Sequence, residues 1–267
     1  MSFDRCRNIA SGAVFILASG PSAGQFPLQR YAGVPMIAVN GAISLFNGSR
    51  QKPWCYVCTD MGFMEQQPEL YARALAISER VAVWPEAVER FPLPVAGELY
   101  APRKVPEPGW VEQFFEDPEL ARGYAGQWPR RRRIGFSKNL EKGYFDARTV
   151  PYVALQMAYH AGFDTVFLVG FDLNQAAPRF YEKPGAKASP CELDKHYETR
   201  ILPSLRLMAE QVVGERFRVY NLSPGSRVPP SIIPFAPLQQ VDELLGQARG
   251  GAAPLRACAV PAQGMAR

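Results

Sequence analysis

His196 and His160 are the two histidines of the chain, so they are the side chains whose unperturbed titration falls near neutral pH. Their settings are opposite. His196 sits in the polar stretch CELDKHYETR, where an imidazole can take a proton from a substrate hydroxyl; a surface or capping histidine is the alternative. His160 lies in the apolar stretch VPYVALQMAYHAG and reads as a packed structural residue. A second group of polar residues closes apolar runs: Ser19, Asn40, Asp60, Asp172 and Asn221. The turn Ser19-Gly20-Pro21-Ser22 allows backbone to approach a ligand at Gly20, and a following helix N-terminus could face a phosphate. It is neither a Walker loop nor a GxGxxG, and a plain strand-to-helix turn has the same spelling. Asn40-Gly41 is equally readable as a turn or as a ligand contact.

Such residues need elements to carry them. Residues 13–19, 35–40, 54–59 and 80–84 are short continuous apolar runs, the pattern of strands buried on both faces. A helix is expected near 68–78 and a proline-rich insertion over 85–110. Val150 to Gly162 is apolar on most faces, with proline in the first turn and a glycine C-cap, and predicts a buried helix. It leads directly into a strand over 165–170. A long amphipathic helix is expected from about Asp194 to Val213, then a last strand over 218–222. Strands alternating with helices predict an α/β fold with a single Rossmann-like, doubly wound, mainly parallel sheet. In such sheets ligands bind beyond the carboxyl ends of the strands, where the polar residues above fall. The irregular segment 173–195 reads as a lid or as a loop without a catalytic role. The α/β domain is expected over 1–246, with a loose tail rich in Gly, Ala and Pro over 247–267.

Composition bounds the partners. Hydrophobic residues at 47% and charged residues at 21% suit one folded domain and exclude a largely disordered chain. A net charge of +5 fits a phosphorylated ligand or an anionic surface better than a dedicated nucleic-acid site. The run Arg130 to Arg133 is either a solvated loop or an attractor of anions, and no aromatic residues interleave with it to stack bases. The five cysteines are odd in number, and the opening MSFDRCRN lacks a signal peptide's apolar stretch, so a reducing cytoplasm is expected. No run reaches the roughly 18 apolar residues of a membrane span, which leaves only peripheral membrane contact. Cys55 and Cys58 form a CxxC inside an apolar run without a second ligand pair, which disfavours zinc or redox chemistry.

In this order the motifs resemble the bacterial sialyltransferases of glycosyltransferase family 42. They also resemble a wider group sharing that fold, which includes the motility-associated flagellin glycosyltransferases and 6-hydroxymethylpterin diphosphokinases. The likeness runs from about residue 13 to 235. It rests on the first strand with Gly20-Pro21-Ser22, on Asn40, on LVGFD ending at Asp172, on His196, and on YNLSPGS over 220–226. It implies a sialyltransferase-like fold of the GT-A-like kind and inverting transfer of a nucleotide-activated sugar to a cell-envelope glycan such as lipopolysaccharide. His196 would be the general base, and Tyr181 would hydrogen-bond the leaving phosphate. The implied donor-binding set is Ser19, Gly20, Pro21, Ser22, Asn40, Asp60, Thr149, Asp172, Asn174, Ser223, Pro224 and Gly225. Ser19 and Asp60 stand where the sialyltransferases have asparagine, and Asn174 where they have a second tyrosine. Besides CMP-activated sialic acid, a related CMP-activated acid such as Kdo (3-deoxy-manno-octulosonic acid), or a different nucleotide sugar, therefore fits equally well. No cofactor is required and Mg2+ is compatible; self-association is open. A diphosphokinase using ATP, or a binding protein that has lost the chemistry, are the rival readings.

Overall fold

The computed structural model describes residues 1–107, 117–123, 134–182 and 192–251, the side chains of 247–251 excepted. The Arg130 to Arg133 run, residues 183–191 of the expected lid, and most of the expected tail lie outside the described residues. The chain divides into two units, 1–236 and 237–267. The second contains the helix Leu238–Gly251, which runs through the position where a loose tail is expected to begin.

The first unit is built on seven parallel strands: β1 (Ala13–Leu17), β2 (Met36–Val39), β3 (Cys55–Cys58), β4 (Arg80–Val83), β5 (Glu98–Tyr100), β8 (Thr165–Val169) and β9 (Arg218–Asn221). Their order across the sheet is β5-β4-β3-β2-β1-β8-β9, and a separate antiparallel pair joins β6 (Leu120–Arg122) to β7 (Gly135–Ser137). Burial is near complete along the central strands because both faces are covered, which is why they read as unbroken apolar runs. One face, carrying Val14, Ile16, Ile37, Val39 and Val57, packs with Leu155 and Ala158 of the helix Val150–Ala161. On the other face Phe15 meets Phe26, Tyr31 and Phe167 at ring-centroid distances of 5.1, 4.9 and 5.3 Å. The fold is thus the expected α/β architecture.

Three details differ from the sequence reading. The connections after β1 and β2 are 3-10 turns, Pro21–Gln25, Leu28–Tyr31 and Asn40–Phe46. The described part of the expected insertion, 85–107, belongs to the sheet unit: it supplies the helix Pro85–Arg90 and the edge strand β5. Three strand residues flanked by Pro92, Pro94 and Gly97 are too few to show a period. The long helix near 194–213 is interrupted, with a turn Leu193–His196, a π-helical stretch Tyr197–Ile201, and an α-helix Leu202–Gln211. Pro203 lacks the N–H that an α-helix would direct to residue 199, and the π stretch absorbs the mismatch. No described helix is long and apolar enough to cross a membrane.

His160 is the structural histidine its setting predicts, at 1% exposure. Its Nδ1 accepts the Leu140 N–H at 3.2 Å, so Nε2 carries the proton and donates to the Phe3 carbonyl at 2.8 Å. The ring ties the N-terminal segment, the loop before the helix and the helix itself. Burial holds its pKa below the ordinary 6.5. The unfolded chain therefore takes up the proton first; the neutral ring's contribution is complete above pH 6.5 and is lost as pH falls below 6.5 through the lower value of the folded state. His160→Ala is expected to cost about 2–4 kcal/mol by cavity formation and lost hydrogen bonds. Urea titrations on both sides of pH 6.5 should show wild-type stability falling at the acid side and a flatter response in the variant; equal slopes would refute the assignment.

Candidate functional site

From β1 the chain winds outward through β2 to β5, then returns to the opposite side of β1 to form β8 and β9. The β1/β8 junction is therefore the topological switch point of the sheet, where connections leave in opposite directions and a crevice opens. A cleft of about 490 Å³ lies there. Of the expected site residues it gathers Ser19, Gly20 and Pro21 after β1, Asn40 after β2 and Asp60 after β3, with Thr149, Asn174 and His196 from the loops above.

The two turns at the switch point touch. Gly20 N–H donates to the Gly170 carbonyl at 2.9 Å, and a Cβ on Gly20 would stand 2.0 Å from Asp172 Oδ2 and 2.5 Å from that carbonyl. Asp172, buried at 5% exposure, accepts both the Ser22 N–H at 3.1 Å and the Ser22 hydroxyl at 3.0 Å. Ser22 Oγ lies 2.9 Å from Ser223 Oγ, and Ser223 N–H donates to Asn221 Oδ1 at 3.1 Å. The amide expected to face a phosphate is thus taken by a carboxylate of the same chain. Ser22, Asp172 and Ser223 brace the turn from behind and do not line the cleft, while Pro224 and Gly225 are exposed outside it.

Asp60 is the N-cap of the helix Met61–Gln66, accepting Phe63 N–H at 3.1 Å. A carboxylate facing a donor phosphate would repel it, and this partner offsets part of that charge. Tyr181 lies over Gly41, where a Cβ would come within 1.9 Å of its ring; its hydroxyl is buried, without a hydrogen-bond partner among the described residues, and off the cleft wall. Burial pushes its pKa up to about 12. Asn40 Oδ1 is likewise buried and unpartnered among them.

Three of the four described non-glycine residues with left-handed backbone line this cleft: Asn40, Arg148 and Leu173, at φ 46°, 64° and 52°. Each such conformation costs of the order of 1–3 kcal/mol and persists only where its surroundings enforce it. For Arg148 the enforcing contact is visible: its N–H donates to Asp146 Oδ1 at 2.8 Å. Asp146, Arg148, Trp84 and Arg179 are cleft residues that the sequence reading missed. The one usable signal was Asp146, two residues before Arg148 and shortly before a proline-led helix, which is the pattern of an Asx turn.

His196 stands on the wall shared with a second cavity of about 510 Å³, as do Asp146 and Arg148. Its Nε2 lies 3.4 Å from a carboxylate oxygen of exposed Glu192. Directly after it, the Tyr197 hydroxyl donates to the Arg227 carbonyl, while the Arg227 guanidinium sits 4.0 Å from the centre of the Tyr197 ring and bonds Asp194. These contacts fix the turn bearing His196 against the loop after β9. The CxxC cysteines are buried free thiols, and burial pushes Cys58 up to about 12. Among the described residues no group of three or more His, Cys, Asp or Glu side chains could hold a metal ion.

The family model described as 3-deoxy-D-manno-octulosonic acid transferase WaaZ matches residues 127–239. A protein of Escherichia coli (strain K12) named "Probable 3-deoxy-manno-octulosonic acid transferase" is 26% identical over 246 residues, covering 88% of this chain and 86% of that one. Its counterpart of the same name in Salmonella typhimurium (strain LT2) is 26% identical over 242 residues, covering 85% and 88%. On these sequence matches the chain is a glycosyltransferase. Among solved structures, the MAf glycosyltransferase of Magnetospirillum magneticum AMB-1 aligns with a TM-score of 0.49 at 13% identity, over 91% of this chain and 38% of that one. The sialyltransferase CstII of Campylobacter jejuni, in complex with the substrate analogue CMP-3FNeuAc, aligns with a TM-score of 0.43 at 14% identity, over 84% and 85%.

Gly20→Ala should destabilise the fold by about 1–3 kcal/mol, because the new methyl group meets backbone and a held carboxylate. Gly225→Ala, with no atom within 4 Å of the added carbon, is the matched control. Thermal melts compare them, and equal Tm values would show that the switch-point turns are less closely fixed than described.

Proposed function

We propose that the chain transfers 3-deoxy-manno-octulosonic acid, or a closely related acid, from a CMP-activated donor to a sugar of lipopolysaccharide, with inversion and with His196 as general base. The observation that carries this reading is the position of His196 between two cavities, one of them at the switch point where an α/β sheet binds its ligand. The sugar is supported by the curated relatives, whose similarity extends over most of both chains. The cytidine nucleotide is supported by the order of the motifs from Gly20-Pro21-Ser22 to YNLSPGS.

In this mechanism the acceptor hydroxyl gives its proton to His196 as its oxygen bonds the anomeric carbon. The bond from that carbon to the donor phosphate breaks on the opposite side, and the phosphate leaves with the electron pair as part of CMP. If Nε2–H points to Glu192, Nδ1 is the nitrogen that takes the proton, and the carboxylate stabilises the imidazolium that results. Arg148 and Arg179, both on the cleft wall, are the cations available to the charge developing on the departing phosphate. Asp60, whose carboxylate would otherwise oppose a donor phosphate, is held as a helix cap.

CMP should raise the melting temperature more than UDP, GDP or ATP, since a ligand confined to the native state stabilises it. His196→Ala should cut transfer by about 10²–10⁴-fold while leaving the CMP shift intact. Full transferase activity in that variant would remove His196 as the base, and a preference for ATP would remove the donor reading.

A further inference from the structure

The cleft at the switch point has two large aromatic side chains among its described residues, Trp84 and Phe171. Phe171 is 1% exposed and offers no face to a ligand. Trp84 is half-buried, so it supplies the aromatic surface on this wall. Its ring is fixed by its neighbours. The indole Nε1–H donates to the Tyr144 hydroxyl, the Lys104 ammonium stands over the ring at 5.1 Å from its centre, and Lys104 is itself held by Asp146 at 2.8 Å. Tyr144 is anchored in turn, since its backbone pairs with Arg103 and Val105 at 2.9 Å each. Lys104 lines the second cavity and not the cleft, whereas Trp84 lines the cleft and not the second cavity. The ammonium therefore backs the indole, and the opposite face is left to the cleft. An aromatic face held this way loses little freedom when a ligand covers it, and the burial of its apolar surface favours binding.

The position of Trp84 says which part of a nucleotide sugar it meets. It follows β4, three strands from β1 and so about 14 Å across the sheet at the usual strand spacing. A donor whose phosphate lies at the switch-point turns reaches that far with one of its two arms, the sugar or the nucleoside. The partners of Trp84, Tyr144 and Lys104, line the second cavity, and His196 lines it too, so the β4 end of the cleft adjoins the imidazole. The carbon that is attacked belongs beside the imidazole, which sends the sugar arm toward Trp84. The chemistry of the sugar agrees. A 3-deoxy sugar acid has a ring methylene where other sugars carry a hydroxyl, and an indole can cover that apolar ring face without stranding a polar group. We propose that Trp84 is the platform on which the sugar ring of the donor packs, and that it selects a donor sugar with an apolar ring face. This deepens the proposed function and rests on it.

The test uses the full-length protein, CMP-activated 3-deoxy-manno-octulosonic acid as donor, deacylated lipopolysaccharide as acceptor, and free CMP as competing inhibitor. Trp84→Leu is expected to raise the donor KM by about five- to tenfold while the inhibition constant of CMP stays as in the wild type. Trp84→Phe keeps a ring but loses the bond to Tyr144, and it should recover most of that loss. Equal weakening of donor and CMP would overturn the proposal, because the indole would then serve the nucleoside or the fold. An unchanged donor KM in Trp84→Leu would overturn it as well, and so would a folded Trp84→Phe as impaired as the Leu variant. If Trp84→Leu does not fold, indole fluorescence decides: a change on adding donor but not CMP, lost in Trp84→Phe, supports the platform, and no such difference overturns it. CMP that neither inhibits nor stabilises the wild-type protein would instead remove the donor reading, and the platform with it.

Discussion

The cleft depends on how closely the turn after β1 can approach the turn after β8. Gly20 and Gly170 meet backbone to backbone, and the space a side chain would fill is occupied by the Asp172 carboxylate and the Gly170 carbonyl. With those turns in contact, Asp172 can reach the Ser22 N–H, Ser22 can reach Ser223, and the loop after β9 is drawn against the switch point. Arg227, whose N–H donates to the Asp172 carbonyl, continues this line to Asp194 and to the turn that carries His196. One close approach thus sets the cleft floor and, through hydrogen bonds, the position of His196 above it.

Much of this arrangement was legible because burial on both faces removes alternation from parallel strands. Val14 to Leu17 and Val166 to Val169 stand out in the sequence for that reason. The helix Val150–Ala161 was equally plain, bounded by Pro151 and by Gly162, whose φ of 99° suits a glycine cap. Residues at strand ends follow from topology alone, hence Ser19, Asn40 and Asp60. The edge strand β5 and the cleft residues Trp84, Asp146, Arg148 and Arg179 did not follow, since they belong to short strands and loops whose position is set by tertiary contacts. Ser22, Asp172 and Ser223 illustrate the opposite difficulty. Their motifs were easy to see, but a motif alone does not separate a residue that touches a ligand from one that holds the turn touching it.

The left-handed residues Asn40, Arg148 and Leu173 mark where folding stability is given up around the cleft. None is glycine, so each position keeps a side chain at the expense of an easier backbone. At Arg148 the reason can be named: the strained conformation carries a guanidinium that borders both cavities and is fixed by the same Asp146 that meets Lys104. The two cavities thereby share an electrostatic boundary as well as an imidazole.

The π stretch Tyr197–Ile201 works as a phase shift between two parts of one rod. Each residue added to or taken from an α-helix turns everything beyond it by about 100°. Leu205 and Met208 are locked into the core on the far side of the stretch, and His196 is locked by the loop contacts on the near side, so neither end is free to rotate. The surplus residue is what reconciles the two orientations. Shortening this segment by one residue would force a choice between the buried face of the helix and the direction of the imidazole, whereas substitutions that keep its length leave both in register.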